Sequence, residues 1–152
     1  MPTAQLTSKE VEAEPFCVWN SFVNLLAKHS YEELSAEQRP AHLVFWYESE
    51  VQNGGHLQYF ENRGVEHLAE TIAALGLVGA SCQQKLLRDA SALFHGRRRK
   101  PIDTVEEYVS IAMEYEFGVF DQRFGLCSPS LVSCLEDYLE THQSIFVTIQ
   151  SA

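Results

Sequence analysis

Positive charge is scarce in this chain of 152 residues. Eleven lysines and arginines face 21 aspartates and glutamates, a net charge of −10 with a pI near 5.0. A nucleic-acid binder needs a cationic face for the phosphates, so direct binding of nucleic acid is disfavoured. An anionic membrane surface is disfavoured for the same reason. No apolar run approaches the ~20 residues of a membrane helix; the longest, residues 71–80, is interrupted by Gly76 and Gly79. The opening MPTAQLTSKEVEAEP has neither a cationic nor an apolar stretch, so it does not read as a secretory leader. Cys17, Cys82, Cys127 and Cys134 are scattered, with no C-x-x-C spacing. The expected compartment is the cytoplasm, and the expected state of these cysteines is buried and reduced.

Catalytic signatures are also missing. The chain has no phosphate-cradling glycine loop, no G-x-S-x-G elbow and no H-E-x-x-H. A carboxylate di-iron site needs Glu-x-x-His pairs on facing helices. None of the six histidines has a glutamate three residues before it, and His67 with Glu70 gives only the reversed order. No metal and no cofactor are expected. Cys17 and Cys82 lack a nearby base and read as core residues.

What the chain does have is helical periodicity. Apolar residues make up 45%, enough for a folded domain, and a chain of roughly 150 residues buries about two-thirds of its unfolded surface. Phe16, Trp19, Phe22, Val23 and Leu26 recur at three- and four-residue spacing. Ser30 with Glu33, Ser35 with Gln38, and Thr104 with Glu107 are capping-box patterns. A helix over 40–52 carries Leu43 to Tyr47 and stops at Asn53-Gly54-Gly55; a short one over 56–62 ends at Gly64. Further helices are expected over about 65–76, 80–94 and 104–120, the last weakened by Gly118. Ser128-Pro129 reads as the start of a final helix, and the tail 145–149 fits either its extension or a strand. The expected fold is all-α: a compact single-domain bundle of about six to eight helices over 15–152, behind a flexible acidic segment, 1–14. Trp19, Phe22, Phe45, Trp46, Tyr59 and Phe60 are expected to be core or interface.

The acid is arranged in pairs. Glu10/Glu14 lie four residues apart in the lead-in, and Glu33/Glu37, Glu66/Glu70, Asp103/Glu107 and Glu136/Glu140, the eight candidate binding acids, do so in the domain. On a helix such pairs share a face, with Cβ atoms ~5–6 Å apart, and destabilise by a few tenths of a kcal/mol. Rows of carboxylates at this spacing can imitate a phosphate track, since phosphates follow one another at one charge per ~3.4 Å along a DNA strand. Several of these residues also fall at helix starts, where acids are favoured anyway. Arg97, Arg98, Arg99 and Lys100 form one basic loop, read first as solvated. Subtracting its four charges from −10 leaves −14 elsewhere.

The residues Trp46, Glu48, Asn53, Gly54, Gly55, Gln58, Tyr59, Phe60, Asn62 and Gly64 form a recognisable pattern: Trp and Glu, an Asn-Gly-Gly turn, then Gln-aromatic-Phe, Asn and Gly. This resembles the signature of a bacterial helical family known for a DNA-mimic member, here called the DNA-mimic protein family. The likeness covers roughly residues 43–95, with His56 where an aromatic or apolar residue is more usual. Physically the motif reads as fold: glycines for a reversal, Asn53 or Asn62 as caps, Tyr59 and Phe60 packing on Trp46. The resemblance implies an acidic dimer that occupies the DNA-binding face of a transcription factor. It does not place that activity on matched residues.

Three functional readings follow. The first is a non-enzymatic acidic interaction protein, a homodimer that binds a basic DNA-binding protein through the paired acids above. The second is a ligand or catalytic pocket formed by His42, Glu48, Glu50 and His56, which requires those side chains to converge with displaced pKa values. The third is an immunity-type or adaptor module with a partner of other character.

Overall fold

The computed structural model describes residues 1–151. Within them the chain runs β1 (Ala4–Thr7), α1 (Ser8–Ala13), α2 (Cys17–Lys28), a 3-10 turn (Tyr31–Glu33), α3 (Arg39–Arg63), α4 (Leu68–Leu77), α5 (Ser81–His95), α6 (Val105–Ala112), α7 (Gly118–Leu126), α8 (Leu131–Phe146) and β2 (Val147–Gln150). The protein is an all-α domain, as its periodicity implies, with eight α-helices among the described residues. None is long and apolar enough to cross a membrane.

The centre of the bundle is α3, which packs against α2, α4, α7 and α8. It is two helices joined by a sharp reversal, where the backbone leaves helical values at Gly54 (φ −154°) and Gly55 (φ 74°). The second half folds back on the first, so that the Tyr47 and Tyr59 rings lie 5.0 Å apart. The positive φ at Gly55 suits glycine, and a Cβ there would lie 2.5 Å from Asp121 Oδ2. Its second half ends on Gly64, φ 63°, whose N–H donates to the Phe60 carbonyl at 2.8 Å. Around this axis lie Phe22, Leu26, Val44, Tyr47, Phe60, Leu75, Leu87, Leu131 and Phe146, all at most 2% exposed. Burying a large apolar side chain of this kind contributes roughly 1.5–3 kcal/mol.

The three capping patterns form. Glu33 Oε1 accepts from Ser30 N–H at 3.1 Å, Gln38 Oε1 accepts from Ser35 N–H at 3.0 Å, and Thr104 Oγ1 accepts from Glu107 N–H at 3.1 Å. Elsewhere the structure departs from the sequence reading. The segment expected as a loose lead-in forms β1 and α1, and β1 pairs in parallel with β2, Ala4 opposite Val147 and Thr7 opposite Gln150. Of the tail 145–149, the first two residues extend α8 and the rest belong to the strand β2. The stretch 104–120 is two helices, divided at 113–117, where Tyr115 takes φ 54°. Ser128-Pro129 is a cis peptide, and the cap of α8 is Ser130, whose Oγ accepts from Ser133 N–H at 3.2 Å. Two cysteines expected to be reduced, Cys82 and Cys127, form a disulfide, with Cα atoms 5.7 Å apart. Cys17 and Cys134 are free, and burial pushes the Cys134 thiol up.

Candidate functional site

All eight paired acids lie on exposed positions. Glu33 is the one most tied down: its Oε2 meets His29 Nδ1 at 2.8 Å and its Oε1 takes both the N–H and Oγ–H of Ser30. The His29 hydrogen bond, then those of Ser30, hold its carboxyl down at about 2. Glu66 lies 3.9 Å from His67 Nε2. None of the eight pairs with lysine or arginine among the described residues. Only Asp89 and Glu116 do, through Lys85 at 2.9 Å and through Arg97 and Arg99 at 3.2 and 2.7 Å.

The fold brings some of these acids into one neighbourhood. The 3-10 turn abuts the start of α4: the Tyr31 ring stacks on His67 at 3.8 Å, and carboxylates of Glu32 and Glu66 approach the His67 ring nitrogen within 4.8 Å. On the other side of the same connection, Tyr138 Oη donates to the Glu37 carbonyl at 2.9 Å. This seats the connection against the buried face of α8, while Glu136 and Glu140, two residues either side of Tyr138, lie on the opposite, exposed face of that helix. Asp103 and Glu107 belong to a different region, at the start of α6 beyond the basic loop.

That loop is not simply solvated. Arg99 makes two hydrogen bonds to the Glu116 carboxylate at 2.7 and 2.8 Å and lies 4.5 Å over the Phe94 ring. It closes α5 against the segment before α7, and Arg99, through that hydrogen-bonded contact first of all, lowers the Glu116 pKa.

The four residues of the pocket reading do not converge. His42 gives its Nδ1 to the Leu26 carbonyl at 3.1 Å and lines a cavity of about 60 Å3 with Trp46, Tyr59, Arg63, His67 and Thr71. That is far below the ~300–1,000 Å3 of small-molecule sites. Burial, ahead of every other influence, drives the His42 imidazole down to about 4. His56 faces another way, fully buried against Tyr47, Phe120 and Phe124. Glu48 is half-buried and raised by that burial. Glu50 is buried, with Oε2 lacking a hydrogen-bond partner among the described residues.

What His56 does belong to is a polar relay through the core. Tyr47 Oη lies 2.8 Å from His56 Nε2, and Asp121 Oδ1 lies 2.8 Å from both His56 Nδ1 and the His56 backbone nitrogen. The break at Gly54-Gly55 frees the His56 N–H from the helix ladder, and Asp121 takes the role of its N-cap from another helix. The arrangement is complete with Nδ1–H donating to Asp121 and Nε2 accepting from Tyr47. Burial raises the Tyr47 phenol, so it stays a donor. No local pattern announces this: Asp121 is 65 residues away in sequence.

The motif residues serve the same break. Asn53 Nδ2 donates to Gln58 Oε1 at 3.3 Å, so the cap on the second half comes from Asp121 and not from an asparagine. A Cβ on Gly54 would run into that Gln58 side chain. Tyr59 packs on Tyr47 at 5.0 Å and Phe60 on Phe94 at 4.4 Å, where contact with Trp46 was expected. Trp46 instead carries Arg63 at 3.8 Å over its ring.

Taken together, the fold and surface define a helical domain with a glycine-broken central helix and exposed acid left largely unpaired. The family model described as DMP19-like protein matches residues 32–142, and the chain belongs to that family. This is the DNA-mimic family the sequence resembles. Neither the curated proteins nor the solved structures give a match.

Proposed function

We propose that this protein is a non-enzymatic DNA mimic, which occupies the DNA-binding face of a basic nucleic-acid-binding protein as a homodimer. The observation that supports this most is the set of eight exposed carboxylates in four pairs, none joined to lysine or arginine among the described residues. Ordinary solubility is served by interspersed charges of both signs; an uncompensated excess attracts cationic partners at a distance. Membership in the DMP19-like family supports the same reading, and the resemblance supports the dimer. Glu33, Glu37, Glu66, Glu70, Glu136 and Glu140 are its leading contacts, because the connection through residues 30–38 gathers their elements. Asp103 and Glu107 form a second, separate group.

The test is capture of partners from host lysate at low salt, elution by a salt gradient, and competition of each eluted protein with duplex DNA. The expected partners are nucleic-acid-binding proteins, displaced by duplex DNA, with affinity at least about tenfold weaker between low and high salt. Partners indifferent to salt, or bound together with DNA, overturn the reading and favour an adaptor role. Sedimentation equilibrium of the free protein tests the dimer.

A further inference from the structure

The Cys82–Cys127 bond occupies an unusual corner of this acidic molecule. Cys82 is the second residue of α5, a helix of 15 residues, and is exposed; Cys127 ends α7 and is half-buried. Beside them is an open depression of about 610 Å3, lined by Cys82 with Lys85, Leu86, Asp89, Arg123 and Leu126. Lys85 engages Asp89 at 2.9 Å, whereas Arg123 has no ion pair among the described residues. With Lys85 and Asp89 offsetting each other, Arg123 leaves the depression beside the sulfur pair with one uncompensated positive charge. Leu126, 83% exposed, adds an apolar contact on the rim. The free first-turn amide groups of α5 and the Arg123 guanidinium both present positive potential to an anion arriving at Cys82.

We propose that Cys82 and Cys127 form a thiol–disulfide exchange site for a small anionic disulfide of the glutathione class. In the reduced protein the Cys82 thiolate attacks one sulfur of the ligand. A bond forms from Cys82 Sγ to that sulfur, and the ligand's own S–S bond breaks. The departing thiolate leaves with the electron pair and takes a proton from water. Cys127, its proton lost to solvent, then attacks Cys82 Sγ, closes the Cys82–Cys127 bond and expels the second ligand thiolate. The two protein thiols are oxidised by two electrons, and one ligand disulfide becomes two thiols. Excess ligand thiol runs the same steps backwards, attacking the exposed Cys82 sulfur. Arg123 positions the ligand carboxylates, and the open depression is large enough for a tripeptide.

The experiment treats Cys127→Ser protein with glutathione disulfide at neutral pH and maps the modified cysteine by peptide mass spectrometry. The expected product is a mixed disulfide on Cys82, formed about tenfold faster than at the half-buried Cys17 of the same molecules. Adding Arg123→Gln is expected to slow Cys82 by about threefold or more and leave Cys17 unchanged. Reduced wild-type protein given the same reagent is expected to regain Cys82–Cys127 and release two glutathiones. Cys82 reacting no faster than Cys17, or indifference to Arg123→Gln, overturns the proposal. If Cys127→Ser does not fold, limited alkylation of reduced wild-type protein gives the same comparison: Cys82 labelled ahead of Cys17 supports the site, and the reverse order overturns it.

Discussion

Two histidines of α3 are almost equally buried, His42 at 6% and His56 at 0%, yet their partners differ. His56 has the Asp121 carboxylate at 2.8 Å; His42 has only the Leu26 carbonyl at 3.1 Å, with Arg63 and His67 adding unfavourable charge and Glu32 a weaker favourable one. Burial therefore leaves His42 neutral in the fold, down at about 4 against 6.5 when unfolded. Below pH 6.5 the unfolded chain binds a proton at this site that the folded chain refuses, so stability falls with pH across that interval. The expected loss between pH 7 and pH 4 from this one group is about 3 kcal/mol. Glu33 acts in a lower window: its depressed carboxyl supports the fold above pH 4.5, and that support fades as pH falls towards about 2. Urea melts of wild-type and His42→Gln protein across pH 4–7 separate the two. The variant is expected to lose the slope above pH 4.5, and an unchanged slope assigns it elsewhere.

At the scale of elements, the short-range signals in the sequence are those the structure carries. Ser30/Glu33, Ser35/Gln38 and Thr104/Glu107 are caps because each is a contract between residues three apart, independent of the rest of the fold. The acids of the candidate surface were legible only in part. Glu136 and Glu140 share a face of α8, as their i, i+4 spacing implies, whereas Glu33, Glu37, Glu66 and Asp103 lie in turns and loops outside the α-helices, where that spacing fixes no common face. What the sequence hides is partnership over distance. Asp121 as cap of the broken α3, the bond from Cys82 to Cys127, and four-residue strands at opposite ends of the chain leave no local trace. Gln38 shows both sides at once. Its Oε1 closes the local box with Ser35, while its fully buried Nε2 donates to Pro2 and Ile145 carbonyls, each at 2.7 Å. One side chain thus anchors both termini beside the β1–β2 pair. Gln38→Ala leaves two carbonyls without donors and is expected to destabilise by about 2 kcal/mol. Hydrogen exchange should rise first at Ala4–Thr7 and Val147–Gln150, and uniform protection there contradicts the anchor.

Over the whole molecule, the unpaired acid is a strain on the fold that the core tolerates. With two carboxylates bridged by lysine or arginine and a net charge of −10, self-repulsion works against compactness at every pH where the acids are ionised. If the acid served stability, neutralising it should weaken the protein. If it serves a partner, the two properties should move apart. The eight residues are not equivalent in this respect. The Glu33 carboxylate accepts from Ser30 N–H and the Glu107 carboxylate from the Thr104 hydroxyl, so their replacement removes hydrogen bonds as well as charge. Glu70, Glu136 and Glu140 make no ion pair among the described residues and allow a clean comparison. The triple variant Glu70→Gln, Glu136→Gln, Glu140→Gln is expected to be as stable as wild type or more so, by up to about 0.5 kcal/mol at low salt, because same-face repulsion at Glu136/Glu140 on α8 is relieved. Its affinity for a basic partner is expected to fall about tenfold or more, with a shallower dependence on salt. Thermal melts and binding titrations over the same salt series read both quantities. Loss of stability without loss of affinity would mean the charge belongs to the fold; the opposite pattern would mean the protein retains a repulsive surface because a cationic partner uses it.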